Sequence, residues 1–600
     1  MRRRSDRGSI LLLAFLVMIV LYMLARAMVV AIPVEMNAAN RLKNETAARY
    51  TAEAGIEDCV AWLEDMHAGG LSAGVPFVVA GPGSAVAEPV TGVERRSGEL
   101  DGLAWEATIR PFPGPEHERL RPRAFLVESQ ALLEGQPLHR ITAVVEQESL
   151  ANYASFVDSN TEGGGEEVYF RMIGSGVECD GPYHTNDVFR LFIPEGYFTD
   201  SETMGGAIGP GSGGGSGDGA GEAGFQGPLT ASGFYAQEPP GDGIQYVEGS
   251  ELPVDGSGQP DEAKYRRLLK DGRAALSTGV EQRPLPSDFQ VLEEAAYGGP
   301  VPTSIPDGSI LLNGQAGIYV QGDVEIRLSV ENQNPVLTFG QNQGVDVTRV
   351  IFASDNPVAD GGYSASVGQT LVLRPDGSGS VVQGTGNGIV FVDGDIEGLS
   401  GLNKHGRTIV ADPEGERELT IDGPLTRLDT PVGQKPGTHR DQLGLVAHEV
   451  VLANSLRGDG SGGAPEDPAY TDSNPLYLYA NIHAGLPEEG GFRTESLPQE
   501  SDGGQAFVHL YGSLCQGTLL PLLYSYSVDS QGTSRTRPTY GGGGATESYA
   551  AGPESEGESG WYGFQLRLFY DPASARHAPP GFPALMRFVV RTWEEERLSR

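Results

Sequence analysis

The strongest constraint on this chain is one uninterrupted apolar segment close to its N-terminus. Residues 10–32 run for 23 positions with a single charged side chain, Arg26. At a rise of about 1.5 Å per residue, roughly 20 apolar residues in a helix cross the hydrocarbon core of a bilayer. Four arginines among the first seven residues favour a cytoplasmic N-terminus, which puts the chain after Pro33 on the other side. The sequence therefore predicts a single-pass transmembrane segment at 10–32.

Three interpretations of this segment compete. A secretory signal peptide has an apolar stretch of about 7–15 residues followed by a small-residue cleavage site; this stretch is too long and leads directly into Pro33-Val34-Glu35. A plain membrane anchor fits the length. The third interpretation uses Gly8, which ends a short arginine-rich leader, residues 1–8, directly before the apolar run.

The segment after Pro33 is predicted to continue as a helix. It is rich in Ala, Glu, Arg and Leu, which are good helix formers. We expect one long helix over 9–66, about 85 Å long, with a break or kink near Pro33 and an end at Gly69-Gly70. Four side chains recur at helical spacing and are predicted to share a buried face: Ile56, Cys59, Val60 and Leu63.

The leader, the apolar helix and the segment Ala52-Glu53-Ala54-Gly55-Ile56-Glu57 together resemble the N-terminal region of type IV prepilins and pseudopilins. The likeness is to PilX-like minor pilins and to the K-type minor pseudopilins of type II secretion. It implies cleavage between Gly8 and Ser9 by a membrane-embedded prepilin peptidase, after which the apolar helix stays on the mature protein.

One position departs from the pattern of major pilins. Those proteins carry a glutamate at the fifth mature residue, where this chain has Leu13. In the family that glutamate is thought to neutralise the N-terminal ammonium group of a neighbouring subunit in the apolar filament core, where a lone carboxylate is costly. Its absence favours a minor subunit, such as one at a filament tip.

The remaining chain is predicted to be mostly β-structure, which gives an α+β or mostly-β fold. Residues 75–148 contain three short strand patterns, near 105–110, 124–129 and 141–145, and we expect a small antiparallel pilin-like sheet packed on the long helix. The other predicted units are the start of a β-rich surface domain at 150–204, a glycine-rich loop at 205–228, a β-rich domain at 229–585 and a C-terminal tail at 586–600.

Imperfect repeats mark the large domain. Residues 317–326 are echoed by 388–397, each with a short β-branched run followed by an Asx-Gly or Gly-Asp turn. Many short strands of this kind indicate either stacked coils of a parallel β-helix or a sandwich. Segments 181–186, 508–514 and 570–583 also resemble an uncharacterised glycine-rich domain found behind pilin-like N-termini in bacterial surface proteins, and that likeness implies location without a known activity.

Several residues are candidates for chemical roles. Asp393 and Asp395, with Asp323 in the other repeat, suit either carboxylate chemistry or ordinary Asp-Gly turns. His184 suits a structural hydrogen bond or catalysis. An oxygen-rich loop offers four candidate ligands for Ca²⁺, which are Asp459, Ser461, Glu466 and Asp467. The tripeptide Arg457-Gly458-Asp459 at the start of this loop resembles an adhesion motif.

Three cysteines rule out a disulfide-dense scaffold. Cys59 is predicted to pack on the helix face. In an oxidising compartment, Cys179 and Cys515 are a candidate disulfide that would join distant parts of the large domain.

The formal net charge of −38 excludes nucleic acid as a partner. We expect a non-enzymatic minor pilin or pseudopilin-like subunit of a type IV pilus or related secretion filament. Its partners are other pilins or pseudopilins, the prepilin peptidase and the membrane, with no cofactor or metal.

We expect it in the bacterial inner membrane or, once assembled, at the cell surface, with the C-terminal domain outside the cytoplasm. One alternative is a pilin-anchored adhesin or glycan-binding protein, and another is a polysaccharide-degrading β-helix enzyme. In the glycan-binding alternative, four aromatic rings are exposed and stack on sugars, whereas in the simpler interpretation they are core residues: Tyr319, Phe391, Tyr477 and Tyr479.

Overall fold

The fold is mostly β-structure behind one long apolar helix. A computed structural model describes residues 6–70, 94–100, 102–112, 124–159, 179–192, 225–237, 269–313, 316–437, 441–457, 474–487, 489–495, 505–520, 522–528, 533–538, 547–550, 559–576 and 578–598, with shorter pieces at 161–162, 166–167, 170–171, 266 and 470.

The helices are α1 (Asp6–Gly70), α2 (Gln290–Tyr297) and α3 (Pro572–Arg576), with short 3-10 turns at Leu150–Asn152, Gly272–Ala275 and Asn454–Arg457. The first strands are β1 (Glu94–Leu100), β2 (Leu103–Pro111), β3 (Ala124–Leu133), β4 (Gln136–Ser149), β5 (Ser155–Ser159), β6 (Thr161–Glu162), β7 (Glu166–Glu167), β8 (Phe170–Arg171), β9 (Cys179–Asp180), β10 (Tyr183–Phe192), β11 (Leu229–Gln237) and β12 (Leu276–Thr278).

The next strands are β13 (Ile310–Leu312), β14 (Ile318–Gln321), β15 (Val324–Glu331), β16 (Asn334–Gln341), β17 (Asp346–Ala353), β18 (Val358–Asp360), β19 (Tyr363–Ala365), β20 (Gln369–Leu373), β21 (Gly379–Gln383), β22 (Ile389–Asp393), β23 (Ile396–Asn403) and β24 (Arg407–Ala411). The last are β25 (Glu418–Arg427), β26 (Leu443–Ala447), β27 (Glu449–Leu452), β28 (Leu476–Ala484), β29 (Gly491–Thr494), β30 (Gln505–Thr518), β31 (Leu523–Val528), β32 (Thr533–Pro538), β33 (Glu547–Ala550), β34 (Ser559–Tyr570) and β35 (Ala584–Arg597).

Helix α1 begins three residues before the predicted start and ends at Gly70, as the Gly-Gly stop predicts. It continues through Pro33, so a break there is wrong, whereas a kink at Pro33 stays a prediction. A proline removes one N–H donor, and in a helix of 65 residues the hydrogen bonds of the flanking turns keep the backbone helical.

An antiparallel sheet packs on the second half of α1. Its strand order is β1-β2-β3-β4-β35, and every neighbouring pair is antiparallel. Alternate side chains of β3 and β4 are buried, which is the period of a sheet with one covered face. The prediction of an antiparallel sheet on the helix is confirmed for the described strands.

The fifth strand of this sheet is a correction to the sequence analysis. The segment 586–600, predicted as a tail, lies largely in β35, which pairs with β4. Its Phe588 is buried and packs edge-on against Phe125 at 5.9 Å between ring centroids. Residues 150–583 are therefore inserted between two neighbouring strands, and Leu150 N donates to Pro583 O where the insertion begins and ends.

The inserted region is built on three ladders of parallel strands. The first ladder runs β14, β22, β24, β26, β28, β30, β5, β10, β11, β12. The second runs β15, β23, β25, β27, β29. The third places the first halves of β28 and β30 beside β34 and β9. From β22 to β30 successive strands belong to different ladders, so this part of the chain winds from one ladder to the next.

The chain enters the first ladder in its middle. It starts at β5, proceeds to β12 at one end, and then resumes at β14 at the opposite end. From there it returns strand by strand until β30 pairs with β5. Aliphatic side chains from all three ladders fill the interior between them, including Ile409, Leu445, Ile482 and Leu510.

Gly512 lies where β30 passes from the third ladder to the first, and it supports a prediction. Its φ is +154°, and a Cβ there would lie 2.0 Å from the carbonyl oxygen of Ala480 in the neighbouring strand. We expect Gly512→Ala to lower the free energy of unfolding by about 2–3 kcal/mol. Gly437→Ala is the control, because a Cβ there meets nothing within 4 Å. Equal urea midpoints for the two full-length variants would contradict the prediction.

Candidate functional site

The first half of α1 is an exposed apolar surface. Its large side chains from Leu12 to Met36 stand outside the fold, with Leu13 64% exposed and Tyr22 67% exposed. This helix is long and apolar enough to cross a membrane, with a mean hydropathy of 2.5 over its most apolar window. Gly8 and Ser9, the predicted cleavage residues, lie in its first turns.

The second half of α1 packs on the sheet of the same chain. Ile56, Cys59 and Leu63 are buried there, and Val60 is partly buried against the same cluster. These side chains are thus occupied within the chain, and of the predicted packing residues only Leu13 is free to meet another molecule. Burial, with a contribution from Asp58, raises the pKa of the Cys59 thiol to about 12, which keeps it unreactive.

Gly55, in the segment 52–57, lies where the helix approaches the sheet closely. A Cβ at this position would lie 2.2 Å from Ser129 Oγ and 3.0 Å from the ring of Trp105, both in the sheet. Glycine therefore allows the close approach of helix and sheet. A hydrogen bond also joins the helix to the sheet, since Phe588 N in β35 donates to Glu64 Oε1 in α1 at 3.0 Å.

The candidate catalytic aspartates have backbone partners. Asp323 Oδ1 accepts from Asp395 N at 2.9 Å, and Asp395 Oδ1 accepts from Glu418 N at 3.0 Å. Each of these carboxylates thus hydrogen-bonds a backbone N–H group that lies 72 or 23 residues further along the chain. Asp393 Oδ2 accepts from Gln321 Nε2 at 2.7 Å. These bonds of Asp323 and Asp395 are structural, but they join distant parts of the chain and are not the local bonds of an Asp-Gly turn.

Asp393 belongs to a carboxylate cluster that the sequence analysis missed. Burial, together with the charges of Asp412, Asp393, Glu414 and Glu294, raises the pKa of Glu293 on α2 to about 7. The group is assembled from α2 and from turns about 100 residues further along the chain, so no local pattern marks it. Within the described residues no three metal-ligating side chains form a metal site.

This cluster predicts a pH effect. The pKa of Glu293 is higher in the folded chain than in the unfolded chain, so its contribution to stability is lost as the pH rises from 4.5 through 7. Glu293→Gln is expected to stabilise the protein by about 1 kcal/mol at pH 8, after discounting for solvent screening, and by less at pH 5. Urea unfolding at both pH values measures this, with Glu397→Gln as the control, because Glu397 is exposed and is not one of the charges that act on Glu293. A gain that is the same at both values would contradict it.

Aromatic side chains proposed for sugar stacking are mostly core residues. Tyr319 and Phe391 stack with ring centroids 6.0 Å apart on the outward side of the first ladder. Both are buried, in a cluster that includes Phe289 and Leu292. The glycan alternative needs exposed rings, and the exposure of Tyr319 and Phe391 is contradicted.

A second aromatic stack lies on the third ladder. Tyr479, Tyr511 and Phe569 stack at 4.8 and 4.7 Å between centroids, and Tyr477, partly buried, lies beside them. Tyr479 is buried and Tyr511 is 7% exposed. Tyr511 Oη donates to the carbonyl of Gly433 in the turn that follows β25. The rings of Tyr479 and Tyr511 are buried in this stack, whereas Tyr477 and Phe569 are partly exposed.

His184 has a structural role in the described residues. Its Nε2 lies 3.0 Å from Asn186 Oδ1 and its Nδ1 lies 2.7 Å from Thr230 Oγ1. Asn186 also accepts from Arg283 N at 2.7 Å, so this network ties the segment before α2 to the first ladder. Burial lowers the pKa of His184, which keeps the ring neutral.

An exposed serine–histidine contact joins β17 to the turn after β23. Ser354 Oγ lies 3.0 Å from His405 Nε2, and Asp355 Oδ2 lies 3.3 Å from the same nitrogen. In a catalytic triad the carboxylate and the serine contact opposite ring nitrogens. Here they share one, so the arrangement is not that of a triad.

The candidate disulfide is not formed. Cys179 and Cys515 are both buried, and neither forms a disulfide. Cys179 belongs to the interior cluster between the ladders, whereas Cys515 lies in the outer cluster that contains Phe391. The two thiols therefore face different cores, which linear spacing does not reveal.

Three other predictions concern residues outside the described part of the chain. They are the glycine-rich loop apart from its end at 225–228, the oxygen-rich segment at 459–467 and Gly458-Asp459 of the adhesion-like tripeptide. No family model, curated protein or solved structure matches this chain.

Proposed function

We propose that this protein is a minor pilin- or pseudopilin-like structural subunit of a type IV pilus or a related secretion filament. The observation that carries the proposal is a single helix whose first half is apolar and exposed and whose second half is fixed to an antiparallel sheet. Such a helix anchors the subunit in a bilayer and then packs among similar helices, while the sheet holds the acidic domain outside.

The energetics of the exposed surface support this proposal. Each Å² of apolar surface kept in water costs about 25 cal/mol, so the row of exposed side chains from Leu12 to Met36 needs a lipid or protein environment. Leu13, at the fifth mature position, adds no charge to that surface. We place the protein in the bacterial inner membrane before assembly, with residues after Pro33 outside the cytoplasm, and processed by a prepilin peptidase.

We further propose that the inserted region is a parallel β-helix. Its support is the set of three parallel ladders and the aliphatic interior that they enclose. The covered aromatic clusters favour a structural domain over a sugar-binding face. Its acidic surface would project from the filament.

Leader processing tests the proposed function. In the native cell the mature chain is expected to begin at Ser9, and Gly8→Val is expected to leave the leader attached and to abolish incorporation into filaments. Ser9→Ala, one residue away, serves as the control and is expected to be cleaved. N-terminal sequencing and mass spectrometry measure the outcome. A mature chain that begins at Met1 or beyond Pro33 would remove the proposal.

A further inference from the structure

Two charges interrupt the apolar half of α1. Between residues 9 and 40 the only charged side chains are Arg26 and Glu35. Both are exposed on the helix, and neither has an ion-pair partner among the described residues.

The positions of these charges prevent them from pairing within one chain. They are nine residues apart, which is about 13.5 Å along the axis and about two and a half turns around it. They therefore lie on opposite sides of the helix, whereas side chains on one helix meet at spacings of three or four. A parallel copy in register would place each charge at the height of its own kind.

A parallel copy displaced by nine residues resolves both charges. In that arrangement Arg26 of one chain lies at the height of Glu35 of the next, and the two face each other because they are on opposite sides of their helices. Ala31 lies one turn before Glu35 on the same face, where its small side chain permits close approach of the second helix. Both chains cross the membrane in one direction, so the parallel arrangement is the one available.

We propose that the apolar helix docks against a second copy of itself, parallel and offset by about nine residues, with Arg26 of one chain paired to Glu35 of the next. This inference rests on the proposed function. In a bilayer Arg26 reaches lipid headgroups, but a helix that leaves the bilayer loses them, and an unpaired charge among apolar helices is costly.

The contact has a consequence for assembly. It uses two different faces of the same helix, so every added chain leaves one Arg26 and one Glu35 available for another. The protein therefore occurs in runs of two or more adjacent copies. This arrangement differs from that of a single subunit at a filament tip.

Disulfide trapping tests the register. Two full-length variants with different epitope tags, Arg26→Cys and Glu35→Cys, are expressed together in the native cell, and membranes and filaments are mildly oxidised. The expected product is a disulfide dimer that carries both tags, at least about tenfold more abundant than dimers of either variant alone. The wild-type chain, whose three cysteines are buried where the structure describes them, gives the background. Dimers of one tag only, or no dimer, would overturn the proposed register.

Charge reversal separates this contact from binding to lipid. Arg26→Glu and Glu35→Arg are each expected to reduce the assembled fraction at least about tenfold, and the double variant is expected to restore it. If Arg26 served only lipid headgroups, Glu35→Arg would assemble normally, which would overturn the inference. A mature N-terminus at Ser9 in all variants would show that the proposed function stands even where the pairing fails.

Discussion

Replacing Arg427 with methionine is expected to lower the free energy of unfolding by about 3–5 kcal/mol. Arg427 is buried, forms two hydrogen bonds of 3.0 Å with Asp429 and reaches Asp571 Oδ2 at 3.2 Å. Asp571 is 1% exposed and also caps α3 by accepting from Ala573 N. Without the guanidinium group, a buried carboxylate loses its cation.

Two companion variants test whether the loss of stability comes from the unpaired charge of Asp571. Asp571→Asn keeps an oxygen for the cap and leaves Arg427 its partner Asp429, so it is expected to cost about 1–2 kcal/mol. The double variant Arg427→Met with Asp571→Asn is expected to be more stable than Arg427→Met alone. Denaturant unfolding of the full-length protein in detergent measures all three. A double variant whose loss equals the sum of the single losses would contradict the ion-pair explanation.

His483 is expected to make the protein sensitive to acid. The side chain is fully buried beside Phe289, at 5.5 Å between ring centroids, and neither ring nitrogen has a hydrogen-bond partner in the described structure. Burial lowers its pKa to about 3, with a small opposing contribution from the backbone of Gly485. The unfolded chain binds this proton near pH 6.5, so stability is complete above that value and is lost as the pH falls towards 3.

The expected loss is about 3 kcal/mol between pH 6.5 and pH 4, because each pH unit between the two pKa values contributes about 1.4 kcal/mol. His483→Phe removes the titrating group and is expected to flatten the acid limb of the stability curve by that amount. His405→Asn is the matched control, since His405 is exposed at a left-handed position that asparagine tolerates. Wild type and His483→Phe with the same pH dependence would show that His483 does not carry the effect.

Local patterns explain what could be predicted from the sequence. The apolar run, the helical spacing of Ile56 and Leu63 and the Gly-Gly stop are short-range features, and the structure contains the corresponding helix and buried face. The partners of Asp323 and Asp395 could not be predicted in this way, because their carboxylates accept from backbone N–H groups 72 and 23 residues further along the chain.

Long-range pairing explains which features could not be predicted from the sequence. Strand β35 lies about 440 residues from its partner β4, so its apolar first half at 584–590 does not reveal which strand it pairs with. Tyr319 and Phe391 alternate like outward-facing residues, but α2 covers them through side chains such as Leu292. The carboxylate cluster around Glu293 likewise depends on which turns the ladders bring together.

The position of the insertion affects how the outer domain withstands proteases and force. Residues 150–583 leave and re-enter the small sheet through adjacent strands, so the domain is tethered at both ends. One proteolytic cut in an exposed loop leaves both fragments connected to the sheet, so shedding the domain takes two cuts. A pull on the domain is likewise shared between two neighbouring strands that are anchored side by side.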